Sequence, residues 1–312
     1  MKLSLSRWRL VSQLLALVAL NPLVYRVQAF CVPVLNCWAC PLAAFSCPVG
    51  VAGNYLARGL IPWMTLGTMM LAGAAFGRLL CGWACPFGLL QDLLFRLRTY
   101  KLALPGFFRY GKYAFLVVTV LLVPRLFGIG PTPGHTGPED AFFCNYCPAA
   151  TLESAIPRTA AAHWQAREAA ATRDTSVTTD PASAPVPAEA GESPQQPAEA
   201  PATGAAGAVP EGAGFLQLMV SSPRVWILVS VLVAFVFIKR PFCRAACPIG
   251  AALALFNRTS LYQMRLWPEK CVQCGRCRKV CPVDFYLPGD PSTPECIRCL
   301  ECKGCCPTGA IR

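Results

Sequence analysis

The sequence predicts a mainly α membrane protein, with four transmembrane helices in a duplicated two-span unit and a small α+β domain at the C-terminus. Three observations carry this. Of 312 residues, 54% are hydrophobic and 14% charged, against about a quarter charged in soluble domains. The pattern R-x-x-C-x-x-x-C-P-x-G occurs twice, each time after an apolar run. Nine of the 19 cysteines fall within residues 271–312.

Four stretches approach the roughly 20 apolar residues that a helix needs to cross a bilayer. They are Leu10–Val27, Gly59–Leu80, Tyr113–Ile129 and Val225–Ile238. Asn21-Pro22 and Pro124-Arg125 predict a kink or an early end in the first and third. Basic residues mark the cytoplasmic side. The N-terminus, the segment Arg78–Lys112 and the segment from Lys239 onward hold 21 of the 28 Lys and Arg residues. Both termini are therefore expected in the cytoplasm, and the net charge of +12 needs no nucleic acid to explain it. A cleaved signal peptide is the alternative for the first span, since Lys2, Arg7 and Arg9 precede it and Val27-Gln28-Ala29 resembles a cleavage site; the apolar run is longer than such peptides use.

From Arg158 to Ala213 the chain turns rich in Ala, Pro, Glu, Ser and Thr. Such a segment buries too little surface to offset its ordering entropy, so a flexible exoplasmic insert is expected, with a short helix at Ala160–Ala171. The expected organisation is a first membrane repeat with the third span and the outer cysteine loops over 1–157, the insert over 158–213, the fourth span with the second C-x-x-x-C-P over 214–260, and the cysteine-rich domain over 261–312.

That last domain contains one spacing twice. Cys271, Cys274, Cys277 and Cys281-Pro282 form a C-x2-C-x2-C-x3-C-P run, and Cys296, Cys299, Cys302 and Cys306-Pro307 form another. This is the spacing of bacterial-type two-cluster ferredoxins, in which the fourth cysteine of each run serves the other cluster. A short loop wraps three thiolates around one face of a cube, and proline turns the chain so that the fourth points elsewhere. One [4Fe–4S] cluster is expected on Cys271, Cys274, Cys277 and Cys306, the other on Cys296, Cys299, Cys302 and Cys281. A zinc site would need four thiolates closing on one metal, and disulfides do not explain two runs of one spacing. Cys305 falls outside the pattern.

The membrane part also repeats. Arg78-Leu-Leu-Cys81-Gly-Trp-Ala-Cys85-Pro-Phe-Gly88 follows the second span, and Arg240-Pro-Phe-Cys243-Arg-Ala-Ala-Cys247-Pro-Ile-Gly250 follows the fourth. Cys37-Trp-Ala-Cys40-Pro and Cys144-Asn-Tyr-Cys147-Pro form a matched pair in the outer loops. Two-fold related halves would bring Cys81, Cys85, Cys243 and Cys247 together at the inner face, and Cys37, Cys40, Cys144 and Cys147 at the outer. Cys31 and Cys47 have no counterpart on this reading. Each group of four suits a further Fe–S cluster, a dithiol switch or a soft metal. Buried apolar thiols remain an alternative for both groups, and plain disulfides for the outer one.

His135 and His163 are the only histidines, which excludes a bis-histidine haem within the spans. There is no G-x-G-x-x-G loop, no P-loop and no Ser/His/Asp set.

Taken together, the repeated R-x-x-C-x-x-x-C-P-x-G, the spans between its copies and the twin C-terminal runs resemble the membrane-bound polyferredoxins. That family includes the NapH/MauN-type quinol dehydrogenase subunits, NosR and CcoG. The resemblance implies a multi-pass protein of the bacterial inner membrane, an electron-transfer subunit of an oxidoreductase. It would pass electrons between the quinone pool, its clusters and redox partner proteins. It also implies that Cys81, Cys85, Cys243 and Cys247 are the family's membrane-proximal pairs. The extra outer cysteines, and the lack of the flavin-attachment sequence of the NosR branch, depart from the family pattern. A metal-reducing maturation protein, with Cu(I) on the outer cysteines, is the alternative, and a redox sensor is a third.

Overall fold

Prolines and glycines set where the helices begin and end. The computed structural model describes residues 5–21, 27, 30–37, 40, 42–97, 99–127, 143–165, 217, 220–285 and 292–311. Its first helix, Leu5–Leu20, closes where the Asn21 side chain donates back to the Leu17 carbonyl at 3.0 Å. The Trp63–Phe76 helix starts after Pro62 and stops at Gly77, whose φ of 56° is left-handed. A side chain at Gly77 would also meet Asn257 Oδ1 at 2.7 Å, so glycine is needed twice over.

The helical segment Gly106–Phe127 runs 22 residues and continues through Pro124. Wide π-helical turns over Leu116–Leu122 precede that proline. They give room for a ring that would otherwise strike the preceding turn. The fourth apolar helix, Pro223–Phe237, opens with proline at its first position, where no N–H is required.

Among the described residues only Gly106–Phe127 is long and apolar enough to cross a membrane. At 1.5 Å per residue it reaches about 33 Å, whereas the helices of 16, 14 and 15 residues reach only about 21–24 Å. The sequence expectation of four spans thus corresponds to one full-length helix and three shorter apolar ones. Gly77 cuts the second short, the fourth ends at the extended Ile238 where the sequence placed its end, and residues 22–26 of the first expected span lie outside the described residues. Their outward faces expose large apolar groups, among them Leu15, Val18, Leu71 and Trp226. Most of the expected insert, and residues 128 and 129 at the end of the third expected span, lie outside the described residues; a helix covers 148–165.

The two motif copies fold alike. Leu79–Trp83 and Pro241–Ala245 are five-residue helices, each followed by an extended Cys-Pro step into a second helix, Pro86–Phe95 or Pro248–Leu255. Pro86–Phe95 packs against both Leu5–Leu20 and Pro223–Phe237, while Pro248–Leu255 packs on Trp63–Phe76 and the start of the long helix. One continuous core joins them, running from Leu20 and Val34 through Phe87 and Phe235 to Ile297.

Strand content in the cysteine-rich domain falls short of the α+β expectation. The described residues contain no strand there, only an antiparallel bridge between Leu266 and Ile311. The cysteine loops consume the chain, and the flanking segments are too short to build a ladder.

Candidate functional site

The two C-terminal runs share a backbone as well as a spacing. Gln273 and Arg298, each just before the second cysteine of its run, have φ of 52° and 49°. Gly275 and Leu300, just after that cysteine, have φ of 70° and 64°. These paired left-handed residues curl each loop so that its cysteines face inward. A short helix follows, Arg276–Val280 or Glu301–Cys305, and ends at an extended cysteine, Cys281 or Cys306, before proline.

The result is two cavities. The first, with about 410 Å³ of empty space that includes open solvent, is lined by Cys271, Cys274, Cys277 and Cys306. The second, of about 320 Å³, is lined by Cys281, Cys296, Cys299 and Cys302 together with Met264 and Phe285. Each cavity therefore takes three thiols from one run and the fourth from the other. Among the described residues no three metal-ligating side chains converge on a point that would hold one ion. Four thiols lining one cavity match the donor set of a [4Fe–4S] cluster. Cys305 donates its thiol to the Cys302 carbonyl at 3.4 Å.

Cys81, Cys85, Cys243 and Cys247 are all buried. Burial pushes the Cys85 thiol up to about 12, with repulsion from Cys243 and Cys81 adding to it. Burial also raises Cys247, again with Cys243 and Cys81 adding. The structure thus brings the four together. Their scaffold is reciprocal: Arg78 of the first copy donates to the Cys243 carbonyl at 3.1 Å, and Arg240 of the second donates to the Cys81 carbonyl at 3.2 Å. A side chain at Gly88 would sit 3.5 Å from the Arg240 guanidinium, and one at Gly250 would sit 3.5 Å from that of Arg78. The Arg and Gly of the motif therefore serve opposite copies. Gln91, fully buried, donates Nε2 to Cys243 Sγ at 3.0 Å, while its Oε1 has no partner.

This group adjoins the second cavity directly. Gly82, between Cys81 and Cys85, lies against the backbone of Ile297 and Cys299; a Cβ there would meet Ile297 O at 2.7 Å and Cys299 Cα at 3.6 Å. Hydrogen bonds fix the contact. Trp83 Nε1 donates to the Arg298 carbonyl at 3.2 Å, Asn257 Nδ2 to the Thr293 and Cys296 carbonyls at 2.8 Å each, and Arg78 to the Pro294 carbonyl at 2.8 Å. Charges reinforce it. Asp92 binds Arg9 and Arg240, Arg9 reaches Glu301 at 3.3 Å, and Lys112 pairs with Glu295 at 2.6 Å. Burial works against the charged form of Asp92, yet Arg240 and Arg9 hold its pKa below the ordinary value.

Around the outer cysteines stands one more thiol, Cys47, which the sequence pairing leaves out. Burial raises Cys144 and Cys147, and the thiols that add repulsion are Cys47 and Cys37 for both. Cys40 is half-buried. Cys47-Pro48 opens the Pro48–Ala57 helix with Cys47 at φ −77°, ψ 126°, as Cys147-Pro148 opens its own helix at φ −64°, ψ 121°. Both cysteines thus open a helix in the extended conformation that a following proline favours, and both belong to one core. The signal was present in the sequence: Cys47-Pro-Val-Gly50 has the same form as Cys85-Pro-Phe-Gly88 and Cys247-Pro-Ile-Gly250. Glu153 accepts from the Cys37 amide at 2.6 Å, and burial raises its pKa to about 7. Cys31 is buried beside Cys47, with its sulfur 3.6 Å from Thr65 Oγ1.

Similarity to known proteins supports iron–sulfur clusters as the cofactor class. The chain carries 4Fe-4S binding domains. One 4Fe-4S binding-domain model matches twice, at residues 58–105 and 222–267, and a second such model matches residues 264–286. The paired matches hold the inner cysteines, and the third holds the first C-terminal run. An uncharacterized protein of Methanocaldococcus jannaschii, MJ0749, is 36% identical over 70 residues, 22% of this chain and 28% of that protein. An Escherichia coli protein named "Putative electron transport protein YccM" is 38% identical over 52 residues, 17% of this chain and 15% of its own. A second Methanocaldococcus jannaschii protein, MJ0750, is 33% identical over 61 residues, 20% of this chain and 25% of its own. The chain thus spans between 15% and 28% of these relatives' lengths. No solved structure matches.

Proposed function

We propose that this chain is a membrane-bound iron–sulfur electron-transfer protein with an unbroken run of clusters from its C-terminal domain into its apolar core. Cys271, Cys274, Cys277 and Cys306 would hold the first [4Fe–4S] cluster. Cys281, Cys296, Cys299 and Cys302 would hold the second, and Cys81, Cys85, Cys243 and Cys247 a third. When bound, each cluster supplies reversible one-electron transfer. The chain's own residues set the order: Gly82 lets the inner loop lie on Cys299, Arg78 and Arg240 hold the two copies in register, and Gln91 donates to Cys243.

The contact of Gly82 with Cys299 is the observation that carries this reading. It leaves no intervening layer between the inner thiols and the second cavity. In the family terms of the NapH/MauN type, the inner site then exchanges electrons with the quinone pool of a bacterial inner membrane, with both termini cytoplasmic. The exposed apolar helix faces and the 22-residue helix support a bilayer setting, since contiguous exposed apolar surface is uncommon on soluble monomers.

Anaerobic proteoliposomes supplied with a reduced quinone test it. The cluster absorbance of the wild type should bleach, and the Cys81→Ser/Cys243→Ser variant should not respond to quinol although dithionite still reduces its C-terminal clusters. Equal bleaching by quinol in both proteins would overturn the proposal.

A further inference from the structure

The outer thiols were expected to sit across the membrane from the inner ones, separated by the roughly 30 Å of a hydrocarbon core. The structure places them much nearer. The Leu35 backbone amide faces the Cys85 sulfur, and Val34 and Leu35 pack in one continuous core with Cys81, Cys85, Cys47 and Cys147. Leu35 and Cys37 are two residues apart, at most about 7 Å of chain. The Cys37 amide in turn donates to Glu153, six residues after Cys147. The Pro48–Ala57 helix, which starts at Cys47, packs against Phe143–Tyr146, which contains Cys144. The loop 31–37 thus dips from the outer thiols to the inner ones.

The local geometry of the outer thiols matches that of the other sites. Cys47 and Cys147 stand before proline in the same extended conformation as Cys85 and Cys247, and as Cys281 and Cys306 in the two C-terminal cavities. At Cys247 the amide three residues on, Gly250, donates to the sulfur at 3.3 Å. The Gly50 and Ala150 amides face Cys47 and Cys147 from the same position. Backbone amides aimed at sulfur favour a thiolate ligand over a neutral thiol. Cys144 lies in the short helix before Cys147, and the Cys37 amide is held by Glu153 in the helical turns that follow Cys147.

We propose that Cys37, Cys47, Cys144 and Cys147 form a fourth iron–sulfur ligand set, close to the inner site, with Cys47 in the place that sequence pairing gives to Cys40. The set extends the electron path beyond the third cluster and shortens the gap to the far face of the protein. It goes beyond the function proposed above, whose inner site rests on different cysteines.

The test is cluster counting under anaerobic conditions. Native mass spectrometry of the wild type should show four cubanes, about sixteen irons. Cys47→Ser and Cys147→Ser should each lose about four irons and one EPR signal, whereas Cys40→Ser keeps both. Loss of the signal in Cys81→Ser/Cys243→Ser but not in Cys47→Ser would leave the inner site standing and overturn this one. Three cubanes in the wild type would also overturn it, as would copper or zinc in place of iron, or a disulfide among the four shown by thiol titration. The mass measurement needs no variant, so poor folding of a mutant cannot rescue the proposal.

Discussion

Replacing Gly82 by alanine sets two physical effects against each other. Gly82 lies in the Leu79–Trp83 helix, where alanine would ordinarily stabilise by about 1 kcal/mol. Against this, the new Cβ would stand 2.7 Å from the Ile297 carbonyl oxygen, some 0.7 Å inside an ordinary contact of about 3.4 Å. Both neighbours are backbone, so no side chain can rotate away. Overpacking of this kind costs about 1–3 kcal/mol, and the cheapest escape is to lift the 296–299 loop off the inner site. The net loss, up to about 2 kcal/mol, would shift the docking equilibrium by up to roughly thirtyfold. Amide hydrogen exchange of residues 296–300 reads this directly, and rapid reduction of the inner cluster from the C-terminal ones reads its consequence. Exchange should accelerate and internal transfer should slow. Wild-type or greater protection in Gly82→Ala would refute the contact on which the path depends.

Other outcomes follow from the same geometry. Asp92→Asn should destabilise by about 3–5 kcal/mol at neutral pH, because it strands the buried Arg240 guanidinium and leaves Arg9 with Glu301 alone; chemical denaturation measures it. Since the Asp92 pKa is depressed from 3.8, its stabilisation is present above that value and is lost as pH falls through the lower folded value, so the wild type should hold its docked form down to about pH 4. Gln273→Gly should stabilise the first cysteine loop by up to about 1–2 kcal/mol, because an exposed residue at φ 52° is relieved of left-handed strain; a thermal shift of the holoprotein reports it. Gln91→Leu removes the donor to Cys243 and should move the inner cluster to a more negative potential in a redox titration, since hydrogen bonds to sulfur help set that potential.

The C-terminal domain was legible in the sequence because its chemistry is local. Spacing alone assigns the four cysteines that line each cavity, including the exchange of Cys281 and Cys306. The inner group was legible because Arg78 and Arg240 repeat together with their cysteines. Their crossed roles were not, since a carbonyl acceptor in the other copy leaves no mark on either. In the outer group C-x-x-C-P drew attention to Cys40, while Cys47 carries the helix-starting form C-P-x-G that Cys85 and Cys247 share. The length of the second span also escaped the reading, because hydropathy does not register the reversal at Gly77.

The claim at the centre of this account is that the inner cysteines hold a cluster in contact with the second C-terminal one. Iron and acid-labile sulfide counted on anaerobic wild type and on Cys81→Ser/Cys243→Ser, with EPR of both, test it most directly. The account predicts about four fewer irons in the variant, with loss of one signal and of the magnetic coupling it imposes on a neighbour. Equal iron and an unchanged spectrum would contradict it.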